Sequence, residues 1–332
     1  MPTVHLNCSV CGESPHLAVP KLAKSGVRLQ DSGVMPSAQP LVRACPAKLN
    51  LMLAITGVRA DGFHELVSLV TPLKLEDTLT VEPLEPGATE DTLTCDAPDV
   101  PTGPENLVRQ ATAAFRQATG SGQFYRFALA KTIPAGAGLG GGSSNGAATL
   151  TALNELAGKP LKNTALEELA AQLGSDCPLF LRPRPLIMRG RGELLEELPE
   201  DAARALRGRP VVVFKPAFGV STGWAYGQLR NRAPVGYEAA DAAEARLQAW
   251  LANPQSPLPL FNSLEAPVFA KYLALPTLLE QIRECQLGPA MMTGSGSACF
   301  ALPESDASAA EIVDRVAKAW GGEAFVVRTA FA

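Results

Sequence analysis

Residues 133–145 read IPAGAGLGGGSSN, and five of these thirteen positions are glycine. Glycine loses more backbone freedom on folding than any other residue and packs no side chain. A plain loop that needs positive φ at one or two sites would explain one or two glycines. It would not explain Gly136, Gly138, Gly140, Gly141 and Gly142 together. The stretch lies between QFYRFALAK (123–131), a predicted strand, and SSNGAATLTALNELAG (143–158), a predicted alanine-rich helix. Strand, glycine loop and helix start together form a phosphate cradle. Bare N–H groups close on the anion, and the helix N-terminus adds about half a positive charge. Ser143 and Ser144 are placed to cap the helix, to contact phosphate oxygens, or to do both.

Several phosphate loops are excluded by what is missing. No Lys-Ser or Lys-Thr follows the last glycine, so this is not a Walker A loop. Gly136, Gly138 and Gly141 do satisfy G-x-G-x-x-G. A dinucleotide fold, the reading of an oxidoreductase, would then need a strand after the helix, with an acid about 20 residues on. A second helix, NTALEELAAQLG (163–174), is predicted there instead, with Asn163 as its cap. The HRD and DFG signatures of protein kinases are absent.

The chain has 332 residues, 46% apolar and 19% charged, with a net charge of −4. That is a globular composition with no basic field for nucleic acid. No apolar run approaches the ~18 residues that span a bilayer, and the N-terminus lacks the form of a secretory signal. Seven thinly spread cysteines suit a reducing cytoplasm better than a disulfide framework. Residues 1–40 carry no clear period and read as a poorly ordered extension, with Met35 as an alternative start. Within them, Cys8 and Cys11 stand between His5 and His16. A zinc site is one reading and an inert tail the other. The cramped spacing and the lack of a second pair favour the tail.

From Arg43 the pattern sharpens. Strands are predicted at 44–55, 66–75, 77–84 and 91–95, an amphipathic helix at 105–120, and a hairpin at 185–198. A buried strand at 208–216 opens a helix-rich half, with helices at 222–230, 238–252, 264–272, 276–286 and 307–319. Residues 288–303 read as strand, glycine turn, strand, and 324–331 as a closing strand. The change near residue 205 divides the chain into 41–205 and 206–332. No internal repeat is visible.

Two further stretches complete a pattern. Read with PAKLNLML (46–53) and MMTGSGSACFAL (291–302), the glycine loop resembles the three motifs of the GHMP kinases, the superfamily of galactokinase, homoserine, mevalonate and phosphomevalonate kinases. DGFHEL (61–66), LGSDCPLF (173–180), GRGELLEEL (190–198) and FNSLE (261–265) narrow the resemblance to the branch that acts in non-mevalonate isoprenoid precursor biosynthesis. The likeness covers residues 43–332. It implies an α+β fold of two domains: a ribosomal-protein-S5-like N-terminal domain that binds ATP, and a ferredoxin-like C-terminal domain, with the site between them. It also implies phosphoryl transfer from ATP to an alcohol that bears a cytidine diphosphate group, in a monomer or homodimer. The alternatives are another small-molecule GHMP kinase, of homoserine or mevalonate type, and the oxidoreductase above.

A kinase of this kind must align a hydroxyl with the γ-phosphate and take its proton late. A carboxylate can do this with an ammonium beside it. Asp176, between a helix end and an apolar stretch, reads alone as a turn cap or as a base facing a cleft. The resemblance makes it the catalytic base. Lys48 lies inside an apolar strand, a costly place unless it is paired or opens on a cleft. The resemblance sets it beside the aspartate. Asn50 shares its strand face, for the substrate pocket or for a structural bond.

The resemblance assigns ATP to the run Pro134-Ala135-Gly136-Ala137-Gly138-Leu139-Gly140-Gly141-Gly142-Ser143-Ser144. It assigns the cytosine ring to Phe63 and the base edge to His64, where the bland reading is a core aromatic and a turn histidine. Thr222 joins the substrate site. Lys131 either meets phosphates or is a solvated strand end. Thr293 keeps a hydroxyl in the third motif, and Cys177 is read as packing. ATP implies Mg²⁺, with Ser144 a candidate ligand by its place at the helix start.

Overall fold

A computed structural model of the protein describes residues 39–232, 234 and 236–332. The expectations for the first 38 residues, including Cys8, Cys11 and Met35, lie outside the described residues. Two strands dominate the rest. β1 (Leu41–Val58) and β2 (His64–Pro83) pair antiparallel along almost their whole length. The two strands predicted at 66–75 and 77–84 are one. The inward alternation Leu73, Leu75, Asp77, Leu79, Val81 runs through the expected break without losing phase. Pro72 has no N–H to donate, and it sits opposite Lys48 beside a shift of register. A second shift falls between Asn50 and Met52, so Lys48–Asn50 is bracketed by irregularities. Such bulges re-aim side chains, and they occur next to active sites.

Around this pair a seven-stranded sheet forms, in the order β3-β4-β2-β1-β8. β3 (Thr92–Cys95) lies parallel to β4 (Tyr125–Ala130), and β5 (Leu186–Arg189) joins β2 to β6 (Leu194–Glu197). β8 (Phe261–Asn262) comes from far along the chain and pairs parallel with β1. A four-stranded antiparallel sheet holds β11 (Phe325–Ala330), β7 (Pro210–Lys215), β10 (Cys299–Ala301) and β9 (Ala290–Met292), in that order. A helix missed in the sequence, α4 (Glu200–Leu206), spans the point where the two halves were divided.

Helices α1 (Leu107–Thr119), α2 (Gly141–Leu156) and α3 (Asn163–Leu173) cover one side of the large sheet. The stripe Val108, Ala111, Thr112, Phe115 puts α1 into that core, Asn106 caps its start, and Gly120 ends it at φ 70°. Asn163 is not the cap of α3. It is the first helical residue, Lys162 holds the cap position, and no side chain closes the end. In the second half come α5 (Thr222–Arg230), α6 (Ala240–Ala252), α7 (Glu265–Phe269), α8 (Ala274–Glu284) and α9 (Asp306–Trp320). Ser305 and Ser308 cap α9 reciprocally.

A carboxylate lies sealed inside this framework. Asp77 is fully buried, and its Oδ1 accepts the backbone N–H groups of Thr132 and Ile133, each at 2.8 Å. Its Oδ2 accepts from Asn145 at 3.1 Å and pairs with the Lys131 ammonium. One carboxylate thus holds β2, the chain entering the glycine loop, and the first turns of α2. Asp77→Ala leaves that ammonium without its counter-charge and two amides without an acceptor. Urea unfolding is expected to show a loss of about 3 kcal/mol, as a lower midpoint with unchanged m-value.

Candidate active site

Helix α2 begins at Gly141, two residues before the predicted start. Its cap is Gly140 at φ 75°, with no side-chain cap bond, so neither serine caps it. The first intrahelical bond runs from the Ser144 N–H to the Gly140 carbonyl at 2.9 Å. The N–H groups of Gly141, Gly142 and Ser143 therefore have no partner in the helix ladder. Gly136, Gly138 and Gly140 have φ of 61°, 77° and 75°, where only glycine is at ease. Crowding adds to this at two of them. A Cβ at Gly138 would lie 2.9 Å from the Thr293 carbonyl oxygen, and one at Gly140 would lie 2.6 Å from the Phe180 ring. Ala137 and Leu139 turn their side chains into the core, so what the loop offers is backbone.

The loop is one wall of a cleft of about 890 Å³. Every residue from Pro134 to Ser143 lines it, but Ser144 does not. Ser144 is 1% exposed, and its Oγ is buried without a partner. Lying one turn inside the helix, it is withdrawn from the position that made it a metal ligand by sequence. Ser143 is the hydroxyl on the wall.

Lys48 and Asp176 meet in this cleft. Lys48 Nζ is 3.5 Å from Asp176 Oδ2 and donates to Asn50 Oδ1 at 2.5 Å. The lysine side chain is 6% exposed and the aspartate 37%, so the carboxylate is the open member of the pair. Asn50 spends its other groups on the frame: Nδ2 donates to Ser68 Oγ, and its backbone N–H donates to Thr293 Oγ1, both at 2.9 Å. Asn50 thus makes the structural bonds and also lines the cleft. Lys131 lines the cleft too and is no solvated strand end, for its charge is paired with Asp77. Burial pushes the Cys177 thiol up to about 11, which suits packing and not nucleophilic attack.

At the cleft's far end Phe63 is 48% exposed, with the Arg191 guanidinium 4.8 Å from its ring centre. His64 lies beneath it, 8% exposed, 4.9 Å from the Tyr226 ring, with Nε2 buried and unpartnered. Thr222 Oγ1 shares a hydrogen bond with Ser295 Oγ at 2.8 Å. Asp77, Asn145, Tyr226, Arg191 and Arg230 were not singled out from sequence. Asp77 had a signal, a lone acid at an inward position of a strand alternation. Thr222, Tyr226 and Arg230 share a helical spacing that marks one face of α5. A second cavity of about 1160 Å³, lined by α7 and α8, contains neither the glycine loop nor the lysine–aspartate pair.

Comparison with known proteins identifies the family and the fold. Residues 106–182 match the GHMP kinases N terminal domain and residues 239–322 the GHMP kinases C terminal domain, so the two-domain α+β architecture is that of the GHMP kinases. A 4-diphosphocytidyl-2-C-methyl-D-erythritol kinase of Thermus thermophilus is 38% identical over 283 residues, covering 84% of this chain and 95% of that protein. A crystal structure of 4-(cytidine 5′-diphospho)-2C-methyl-D-erythritol kinase superposes with a TM-score of 0.70 at 37% identity, over 88% of this chain and 100% of that one. The chain belongs to the 4-diphosphocytidyl-2-C-methyl-D-erythritol kinase family. A homoserine kinase from Cytophaga hutchinsonii, at 16% identity and a TM-score of 0.68 over 91% of this chain and 98% of that one, shares the fold alone. Nor does the chain follow the dinucleotide pattern, for α3 stands where its second strand would be.

Burial holds the His64 imidazole below its usual 6.5, and the charge of Arg230 acts in the same direction. The unfolded chain therefore takes up this proton at a higher pH than the folded one. The stability that a neutral His64 contributes is complete above the unfolded value and is lost as pH falls from there towards the depressed folded value. Thermal melts at about pH 7 and about pH 5.5 should show a larger drop in Tm for the wild type than for His64→Gln.

Proposed function

We propose that the protein transfers the γ-phosphate of ATP to the 2-hydroxyl of 4-(cytidine 5′-diphospho)-2-C-methyl-D-erythritol, giving the 2-phosphate and ADP. One observation carries the residue assignment: an ammonium and a carboxylate 3.5 Å apart, in the cleft whose wall is the glycine loop. In this reading the ATP phosphates lie against the N–H groups at the start of α2, where the macrodipole favours anions. The Asp176 carboxylate takes the proton of the acceptor hydroxyl as its oxygen attacks phosphorus. The Lys48 ammonium, held by Asn50, orients that hydroxyl.

Phe63, exposed and flat, is the stacking surface for the cytosine, and the free His64 Nε2 meets the base edge. Thr222 closes the acceptor side. The 41–205 and 206–332 segments are, in this reading, the ATP-binding and C-terminal domains.

Mg²⁺ fits the donors on the wall. Among the described residues no cluster of three or more His, Cys, Asp or Glu side chains could cage a metal. The cleft presents only scattered oxygens, among them Ser143, Asp176 and Glu105. Such a set suits an ion that takes one or two protein oxygens and completes its shell with phosphate and water. When bound, it would neutralise phosphate charge.

ADP release measured with the cytidylyl acceptor tests the assignment. Asp176→Asn is expected to lower kcat by about 10²- to 10⁴-fold. An Asp176→Asn enzyme with wild-type turnover would remove the base from this scheme. Phe63→Ala should instead raise KM for the acceptor by about tenfold and leave KM for ATP near its wild-type value.

A further inference from the structure

Helix α5 holds two glycines that its packing does not require. Glycine is the poorest helix former after proline, and inside a helix it usually marks positive φ or close approach by a neighbour. Neither holds here. A Cβ at Gly223 or Gly227 would meet no heavy atom within 4 Å, and neither residue has positive φ. Yet Gly227 is half-buried. The open space beside it is the cleft, which both glycines line together with Thr222, Tyr226 and Arg230.

The face they form is held still. Ala225 and Leu229, on the other side of α5, are buried in the core. Thr222 is bonded to Ser295 at one end, and Arg230 Nη2 donates to the Gly62 carbonyl at 2.9 Å at the other. An independent feature stands against the same face. His64 lines the cleft, is 8% exposed, and keeps its Nε2 without a partner. Its ring packs on Tyr226, which lies between the two glycines in sequence. A buried polar nitrogen left unpaired at a bare helix wall calls for a ligand group to satisfy it.

We propose that Gly223 and Gly227 are specificity-determining residues for the nucleoside part of the acceptor. By lacking side chains they leave α5 backbone as the surface on which that part settles. A Cβ at either position takes space from the substrate and none from the protein. The inference rests on the cytidylyl acceptor assigned above. It adds that the helix gives up intrinsic stability to make room for that acceptor.

The test compares Gly223→Ala, Gly227→Ala and Gly227→Met with the wild type, in thermal melts and in ADP-release kinetics with both substrates. All three replacements are better helix formers, so Tm is expected to hold or rise. KM for the cytidylyl acceptor should rise about tenfold in Gly227→Ala and further in Gly227→Met, while KM for ATP stays within about twofold. An acceptor KM unchanged in both Gly227 variants overturns the inference. So does a fall in Tm with both KM values rising together, the signature of a structural glycine. A wild-type protein that releases no ADP with this acceptor overturns the substrate assignment as well, whereas an active wild type with insensitive variants overturns this inference alone.

Discussion

The backbone N–H of Lys48 donates to the carbonyl of Leu139 at 2.9 Å, and the site is assembled around that bond. It fastens the first strand to the glycine loop at the residue whose side chain reaches Asp176. Two residues on, the Asn50 N–H donates to the hydroxyl of Thr293, and the Ala298 N–H reaches back to the Ala137 carbonyl at 3.1 Å. Three segments remote in sequence are thereby joined by bonds that each use the main chain, which hold position better than contacts between long side chains. The two register shifts around Lys48–Asn50 belong to the same arrangement. Between them Lys48, Leu49 and Asn50 stay paired with Pro72, Thr71 and Val70, while the N–H groups of Lys48 and Asn50 reach the loop and Thr293.

Electrostatics follow the same economy. The cleft must attract a polyanion, yet the protein as a whole carries a net charge of −4. The attraction is made locally, by amides without partners at the start of α2 and by a helix dipole behind them. The two lysines on the wall are both tied to carboxylates, Lys48 to Asp176 and Lys131 to Asp77. They differ in what that does. Asp77 is sealed, so its pair is architecture. Asp176 is open, so its pair faces the cleft. The same chemical couple is thus sealed at one place and open to the cleft at the other.

What could be read from sequence follows from what each residue must do alone. The glycine loop and Lys48 stood out because each breaks a local rule, too many glycines and a lysine in an apolar strand, whereas Asp176 alone read equally as a turn cap and was picked out by the resemblance. The strands and most helices were legible from their period. The long β2 reads from sequence as two strands broken at Glu76, although the inward alternation continues through that point. The start of α2 was misplaced by two residues, since glycines at a helix start look like loop. That error put Ser144 at the helix end, whereas it lies one turn inside. Asn145 and Arg191 were invisible for another reason. Their partners lie in other segments, and no spacing along the chain announces them.

The parallel pairing of Met52 and Leu53 with Phe261 and Asn262 has a consequence for how the chain reaches this state. β1 emerges from the ribosome about two hundred residues before the short strand that completes its edge, and entropy disfavours closing so long a loop early. Asn262 then supplies two bonds, from Nδ2 to the carbonyls of Met292 and Gly294, that set the third turn. The lysine end of the site can therefore take its final form only after nearly the whole polypeptide has been made. Until then that edge of the long β1–β2 ribbon lacks its short partner strand.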